Sequence, residues 1–194
     1  MGWHNFDVAG QSPSLRFTMV RATDGRQVTQ AAFRGDVVLL YFGYTSCPDI
    51  CPTTMANLGR VLDLLGKQAA HVRVLFVTVD PQVDTLPMLK AYTKEFGPQM
   101  VGLRGTPDEL AALARRFRVA YSVTPAHGTV LRAVTHSAAI YAFDESGRAR
   151  LLIPSMASQT PDIQGTAADL RRLVAGEAPG GLMSRAWHDL FGQS

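Results

Sequence analysis

A chain of 194 residues, 46% hydrophobic and 18% charged, is long enough for one domain with a substantial core and too ordinary in composition for a disordered, fibrous or repeat protein. The net charge of +3 and pI near 9.1 are mildly basic, but the positive residues are scattered. The one cluster, Arg115, Arg116 and Arg118, falls in a predicted helix and reads as a solvated face, which argues against nucleic acid as a partner. No apolar run approaches the roughly eighteen residues of a membrane span, and Met1–Val20 lacks the charged-then-apolar build of a signal peptide.

Leu15–Val20 alternates weakly, and Asp24-Gly25 marks a turn before Val28 and Ala31–Phe33, which predicts an initial β-hairpin. Val37–Phe42 is an unbroken apolar run, the pattern of a strand buried on both faces. Gly43–Pro52 turns the corner, after which Met55, Leu58, Leu62 and Leu65 recur at helical spacing. Cys47 and Cys51 therefore fall between a central strand and the first turn of a helix, where Pro52 fits. The helix N-terminus favours a thiolate, so a lowered thiol pKa is expected there. Val72–Val79 is a second core strand ending at Asp80-Pro81. The strand–turn–helix–strand unit puts Asp80 at the same carboxyl edge of the sheet as Cys47. By its residue type Asp80 is either a turn-former before proline or an acid beside the cysteines; Asp84 is expected to help start the next helix.

That helix is predicted near Leu86–Phe96, capped by Thr85 with Pro87 in its first turn and Leu89, Tyr92 and Phe96 toward the core. Val101–Leu103 reads as a short strand. Thr106-Pro107-Asp108-Glu109 is a capping box for a helix that buries Leu110, Leu113, Ala114 and Phe117. Val119–Val123 and Ser137–Phe143 read as strands separated by a Gly- and Pro-containing insertion, Thr124–Val134. Glu145–Gly147 then turns the chain into Ala149–Ile153. Thr166 is expected to cap a last helix carrying Leu170, Leu173 and Val174. Beyond a break at Ala178–Gly181, Met183, Trp187, Leu190 and Phe191 form a small apolar stripe that either packs back on the domain or meets a partner or membrane.

Three readings of the cysteine pair are open: a buried structural pair, a redox pair or a metal pair. The prolines of CPDICP are turn chemistry and point away from the first, since turns lie at surfaces. Three residues separate the cysteines where the thioredoxin signature has two, and spacing does not separate redox from metal.

The strings YFGYTSCPDICP (Tyr41–Pro52), VTVDPQVDT (Val77–Thr85) and HSAAIYAFDESG from His136 resemble the Sco/SenC family of copper chaperones, over roughly Gly25–Leu152. The resemblance implies an α/β, thioredoxin-like fold: a central mixed sheet flanked by helices, with an N-terminal β-hairpin and a C-terminal helical extension. It divides the chain into a lead-in at 1–24, the copper-binding domain at 25–153 and an extension at 154–194 packing on that domain. It also implies copper as the metal, Cu(I) with Cu(II) as a second state, held by Cys47, Cys51 and His136 with Asp80 close by. The implied role is delivery of copper to, or maturation of, the dinuclear copper centre of cytochrome c oxidase subunit II or another cuproprotein, with a copper donor protein upstream. The implied place is the periplasm or the outer face of the cytoplasmic membrane, anchored by a segment outside this sequence.

A thiol-disulfide oxidoreductase that reduces the cysteines of that copper centre is the alternative. A peroxidase on the same fold fits less well, because a two-cysteine turn with a placed histidine suits metal. His136 stands immediately before the predicted Ser137 strand, where thioredoxin-like folds pack a loop against the cysteine turn. His71 is expected at the opposite edge, and His127 and His188 at the surface. Thr135 occupies a position where family members often carry an acid, which leaves the partner of the second His136 ring nitrogen unidentified. Two thiolates and one imidazole form a soft set suited to Cu(I), whereas structural zinc takes four donors. Oxidation to a Cys47–Cys51 disulfide abolishes that set, coupling metal affinity to redox state. Gly2-Trp3-His4 offers a separate, adventitious Cu(II) set if Met1 is removed.

Overall fold

The computed structural model describes residues 2–129 and 131–179. The chain runs β1 (Phe6–Asp7), β2 (Thr18–Arg21), β3 (Gln27–Thr29), β4 (Val37–Gly43), α1 (Ile50–Leu65), β5 (Val72–Thr78), α2 (Leu86–Lys94), β6 (Met100–Arg104), α3 (Pro107–Arg116), β7 (Tyr121–Thr124), β8 (Ala133–His136), β9 (Ile140–Phe143), β10 (Ala149–Ile153) and α4 (Ile163–Val174). Eight strands form one mixed sheet in the order β1-β10-β9-β4-β5-β6-β2-β3, and β7 and β8 form a separate two-stranded sheet.

β4 occupies the middle because all seven of its residues are buried, which demands cover on both faces. It pairs in parallel with β5, from Val37 opposite Val72 to Gly43 opposite Thr78, and antiparallel with β9. The pleat sends Leu39 and Tyr41 to the face covered by α1, α2 and α4, among Met55, Leu58, Val61, Leu89 and Leu170. Val38, Leu40 and Phe42 go to the opposite face, with Leu110 and Leu113 of α3 and Phe117 just beyond it. Each such side chain contributes about 1.5–3 kcal/mol by leaving water. The parallel trio β4–β5–β6 therefore ends at one edge, and the loops carrying Cys47 and Asp80 leave from adjacent strand ends.

The expected hairpin is β2–β3, which joins the far edge of the sheet through β6. Thr85 and Thr106 cap α2 and α3 as expected, and Glu109 completes the capping box. Some details differ. β5 stops at Thr78, and α2 ends at Lys94 ahead of Gly97, whose φ of +132° no helix accommodates. Asp162 caps α4 by accepting from the Gly165 N–H at 2.8 Å. Thr166 is instead buried inside the helix, where its hydroxyl accepts from Asn5 Nδ2. The strand expected from Ser137 begins at Ile140, and the insertion is part of the β7–β8 hairpin, with Tyr121 opposite His136. α4 packs on α1, with the Arg171 guanidinium donating to the Leu64 carbonyl. The stripe Met183, Trp187, Leu190 and Phe191, and His188, lie outside the described residues.

Candidate metal centre

Cys47 lies in the loop after β4, and its N–H donates to the Tyr44 carbonyl at 3.3 Å. Cys51 is the second residue of α1, and its own N–H donates to Cys47 Sγ at 3.4 Å. The helix start thus feeds a backbone donor to the first sulfur, as the sequence anticipated. Cys51 Sγ sits over the end of β4 because Gly43 has no side chain; a Cβ there would lie 2.9 Å from that sulfur. From the other side, His136 Nε2 stands 3.2 Å from Cys51 Sγ. The ring nitrogen of His136 and the two sulfurs all lie within 4.8 Å of one another.

The partner of the second histidine nitrogen is the Ser137 carbonyl, which accepts from Nδ1 at 3.0 Å. That bond places the proton on Nδ1 and leaves the Nε2 lone pair facing the sulfurs, the tautomer a metal needs. A backbone carbonyl therefore fixes the ring, and Thr135 bonds elsewhere, its hydroxyl 2.7 Å from that of Ser122. Tyr41 and Tyr44 flank the imidazole edge-on, with ring centroids at 6.0 and 5.8 Å. Sequence reasoning passed over both tyrosines, although they sit inside the string that carried the resemblance.

The two thiols differ in charge state as well as exposure. Burial alone would push the Cys47 thiol up, but it is outweighed by hydrogen bonds from the Cys51 N–H and thiol, the Asp49 N–H and the Tyr44 hydroxyl, so its pKa lies below the ordinary value. Cys51 is fully buried, and burial drives its thiol up to about 12, against the expectation of a lowered value near a helix start. Burial also holds the His136 imidazole below its ordinary pKa, opposed by the Ser137 carbonyl. Tyr44 is pushed up to about 12, first by burial and then by the neighbouring Cys47.

Asp80 is 4% exposed and makes no hydrogen bond to the histidine; its carboxylate binds the Arg132 guanidinium through both prongs, Nε to Oδ2 at 3.0 Å and Nη2 to Oδ1. Asp84, expected to help start α2, does something else. Buried at 1% exposure, it accepts from the Thr45 N–H at 3.0 Å and from the Thr45 and Thr78 hydroxyls at 2.6 Å each. It thereby ties the cysteine loop to the end of β5. Among the described residues, the hydroxyls of Tyr41, Thr54 and Tyr92 are buried without a well-formed hydrogen bond, that of Tyr41 lying beside the Thr54 hydroxyl and the Cys51 thiol.

Two thiolates and one neutral imidazole are a donor set that fits a soft monovalent ion, and bonds of about 2.0–2.3 Å from a shared centre nearly span the observed separations. Among the described residues this is the one group of three such side chains close enough to hold a metal. The profile of the SCO1/SenC family matches residues 10–175. The chain belongs to the SCO1/SenC family. It is 41% identical over 125 residues to the mitochondrial SCO2 homolog of Bos taurus, covering 63% of this chain and 47% of that protein. The chain spans about half the length of that relative, and less of the Arabidopsis thaliana SCO1 homolog 1, at 39% identity over 109 residues and 32% of its length. Among solved structures, Bradyrhizobium japonicum ScoI with copper bound matches at 33% identity and a TM-score of 0.72, covering 84% of this chain and 99% of that one. The family's thioredoxin-like architecture is the one this chain adopts.

Proposed function

We propose that this protein is a copper chaperone that binds one copper ion through Cys47, Cys51 and His136 and passes it to a copper centre of cytochrome c oxidase, in subunit II, or to another cuproprotein. The observation that carries this reading is the convergence of His136 Nε2 and two sulfurs from a distant part of the chain, with the imidazole proton pinned on the far nitrogen. The copper bound by the similar ScoI of Bradyrhizobium japonicum supports the choice of metal. Copper is the cargo: held by the three side chains, it is released to an acceptor with competing thiolates. Ile50, 46% exposed between the cysteines, gives the rim an apolar point suited to a protein partner. The proposed place of action is the periplasm or the outer face of the cytoplasmic membrane, with an anchor outside this sequence; no helix among the described residues is long and apolar enough to cross a membrane.

The thiol asymmetry favours a second reading. A part-exposed thiol of lowered pKa beside a buried thiol of raised pKa is the arrangement of an attacking and a resolving cysteine, so a thiol-disulfide oxidoreductase acting on the acceptor's cysteines is the alternative. His136→Ala separates the two. Complementation of an oxidase-deficient host at limiting copper is measured beside reduction of an oxidised target peptide. The chaperone reading expects His136→Ala to lose oxidase assembly and keep peptide reduction, and Cys47→Ser or Cys51→Ser to lose both. Full oxidase recovery by His136→Ala transfers the assignment to the reductase.

A further inference from the structure

The β7–β8 hairpin that delivers His136 has little of its own to hold it in place. It is a two-stranded sheet apart from the main one, and its residues alternate between part-buried and exposed; Tyr121 and Val134 supply its apolar contact with the core. A two-stranded ribbon with so little burial is marginal by itself. Its fixed points are therefore specific contacts. Arg132 directly precedes β8, four residues before His136, and its fork closes on Asp80. Asp80 is a rigid post: its N–H donates to Thr78 Oγ1 at 3.0 Å, and its carbonyl accepts from the N–H groups of Val83 and Asp84 at 3.1 and 2.9 Å. A planar guanidinium gripping a buried carboxylate at two points fixes orientation as well as distance.

We propose that Arg132 is a positioning residue which, through its two-pronged ion pair with Asp80, holds the β7–β8 hairpin and hence His136 against the cysteine loop. Asp80 then acts on the centre through the hairpin, not by touching a donor. The consequence for metal rests on the three-donor reading above; the placement of the hairpin does not. Arg132 carried no signal in the sequence, because it lies in the Gly- and Pro-containing insertion and its partner is 52 residues away.

Five variants of the full chain test this by amide hydrogen exchange of the metal-free reduced protein and by Cu(I) affinity. Arg132→Met is expected to speed exchange in Tyr121–Thr124 and Ala133–His136 while leaving β4 and β5 unchanged, and to weaken Cu(I) binding about 10- to 100-fold, the usual size of an effect transmitted to a ligand from behind. Arg132→Lys, which keeps the charge without the fork, is expected to recover part of the affinity. Asp80→Asn/Arg132→Met leaves no buried unpaired charge, so it should melt close to the parent yet keep the fast hairpin exchange. In a His136→Ala background, Arg132→Met should weaken copper no further, because the two act through one group. Parent-like hairpin exchange in Arg132→Met and in Asp80→Asn/Arg132→Met, or losses from Arg132→Met and His136→Ala that simply add, would overturn the proposal. If the parent itself fails to bind copper, the three-donor reading falls while the exchange data still decide the latch.

Discussion

At Gly43 an added Cβ would lie 2.7 Å from Phe76 Cε2 as well as 2.9 Å from Cys51 Sγ, so the sulfur's seat is a cradle with no spare room. Gly43→Ala is expected to cost about 1–3 kcal/mol, the usual price of overpacking, and to weaken metal retention together with stability. A variant that melts and titrates like the parent would refute the cradle. Tyr41 is the opposite case: its hydroxyl is buried beside the Thr54 hydroxyl and the Cys51 thiol without a well-formed hydrogen bond, so Tyr41→Phe should change stability by no more than about 1 kcal/mol. A loss beyond about 2 kcal/mol in a denaturant titration would show that the hydroxyl is bonded in the folded protein. His136 has a folded pKa below 6.5, so the unfolded chain binds its proton more readily. Its neutral form contributes stability that is present above pH about 6.5 and is lost as pH falls toward and through the depressed value. The melting temperature of the parent relative to His136→Gln should therefore drop as pH is lowered from 7; a constant difference would contradict the burial argument. At this scale the sequence marked Cys47, Cys51 and His136 by residue type and by a recognisable string. It gave no sign of the Ser137 carbonyl, since a backbone acceptor has no residue signature.

The elements fall into two groups by how local their causes are. β4 and β5 were legible because an unbroken apolar run has few alternatives to a doubly covered strand, and α3 because its capping box is written in four consecutive residues. The β7–β8 hairpin was not, because half of its residues face solvent and its placement depends on Asp80, far away in the chain. Asp84 was misread for the same reason: beside a helix start it looks like a cap, yet its partners are Thr45 and Thr78. The two roles predict different energies. Asp84→Ala, which strips a buried carboxylate from three donors, should cost about 3 kcal/mol and increase alkylation of Cys47, whereas Thr85→Ala, the loss of an ordinary cap, should cost about 1 kcal/mol. Equal costs, with unchanged Cys47 reactivity, would return Asp84 to the helix start.

Over the whole molecule, the parallel strands β4, β5 and β6 finish at one edge, and the proposed ligands and their supports reach that edge on three different connections. Cys47 and Cys51 come from the turn into α1, Asp80 and Asp84 from the turn into α2, and His136 from the hairpin after α3. A three-donor site assembled this way can be opened by moving one loop, which suits a protein that must both hold a metal and give it up. The most direct test is Cu(I) titration of the reduced protein carrying His4→Ala, which removes the N-terminal set that would take up any Cu(II) formed, with X-ray absorption on the loaded sample. One copper per chain is expected, with two sulfurs and one nitrogen around it, and that nitrogen should be lost in His136→Ala. Two equivalents of similar affinity, or a metal shell that His136→Ala leaves unchanged, would contradict the three-donor site.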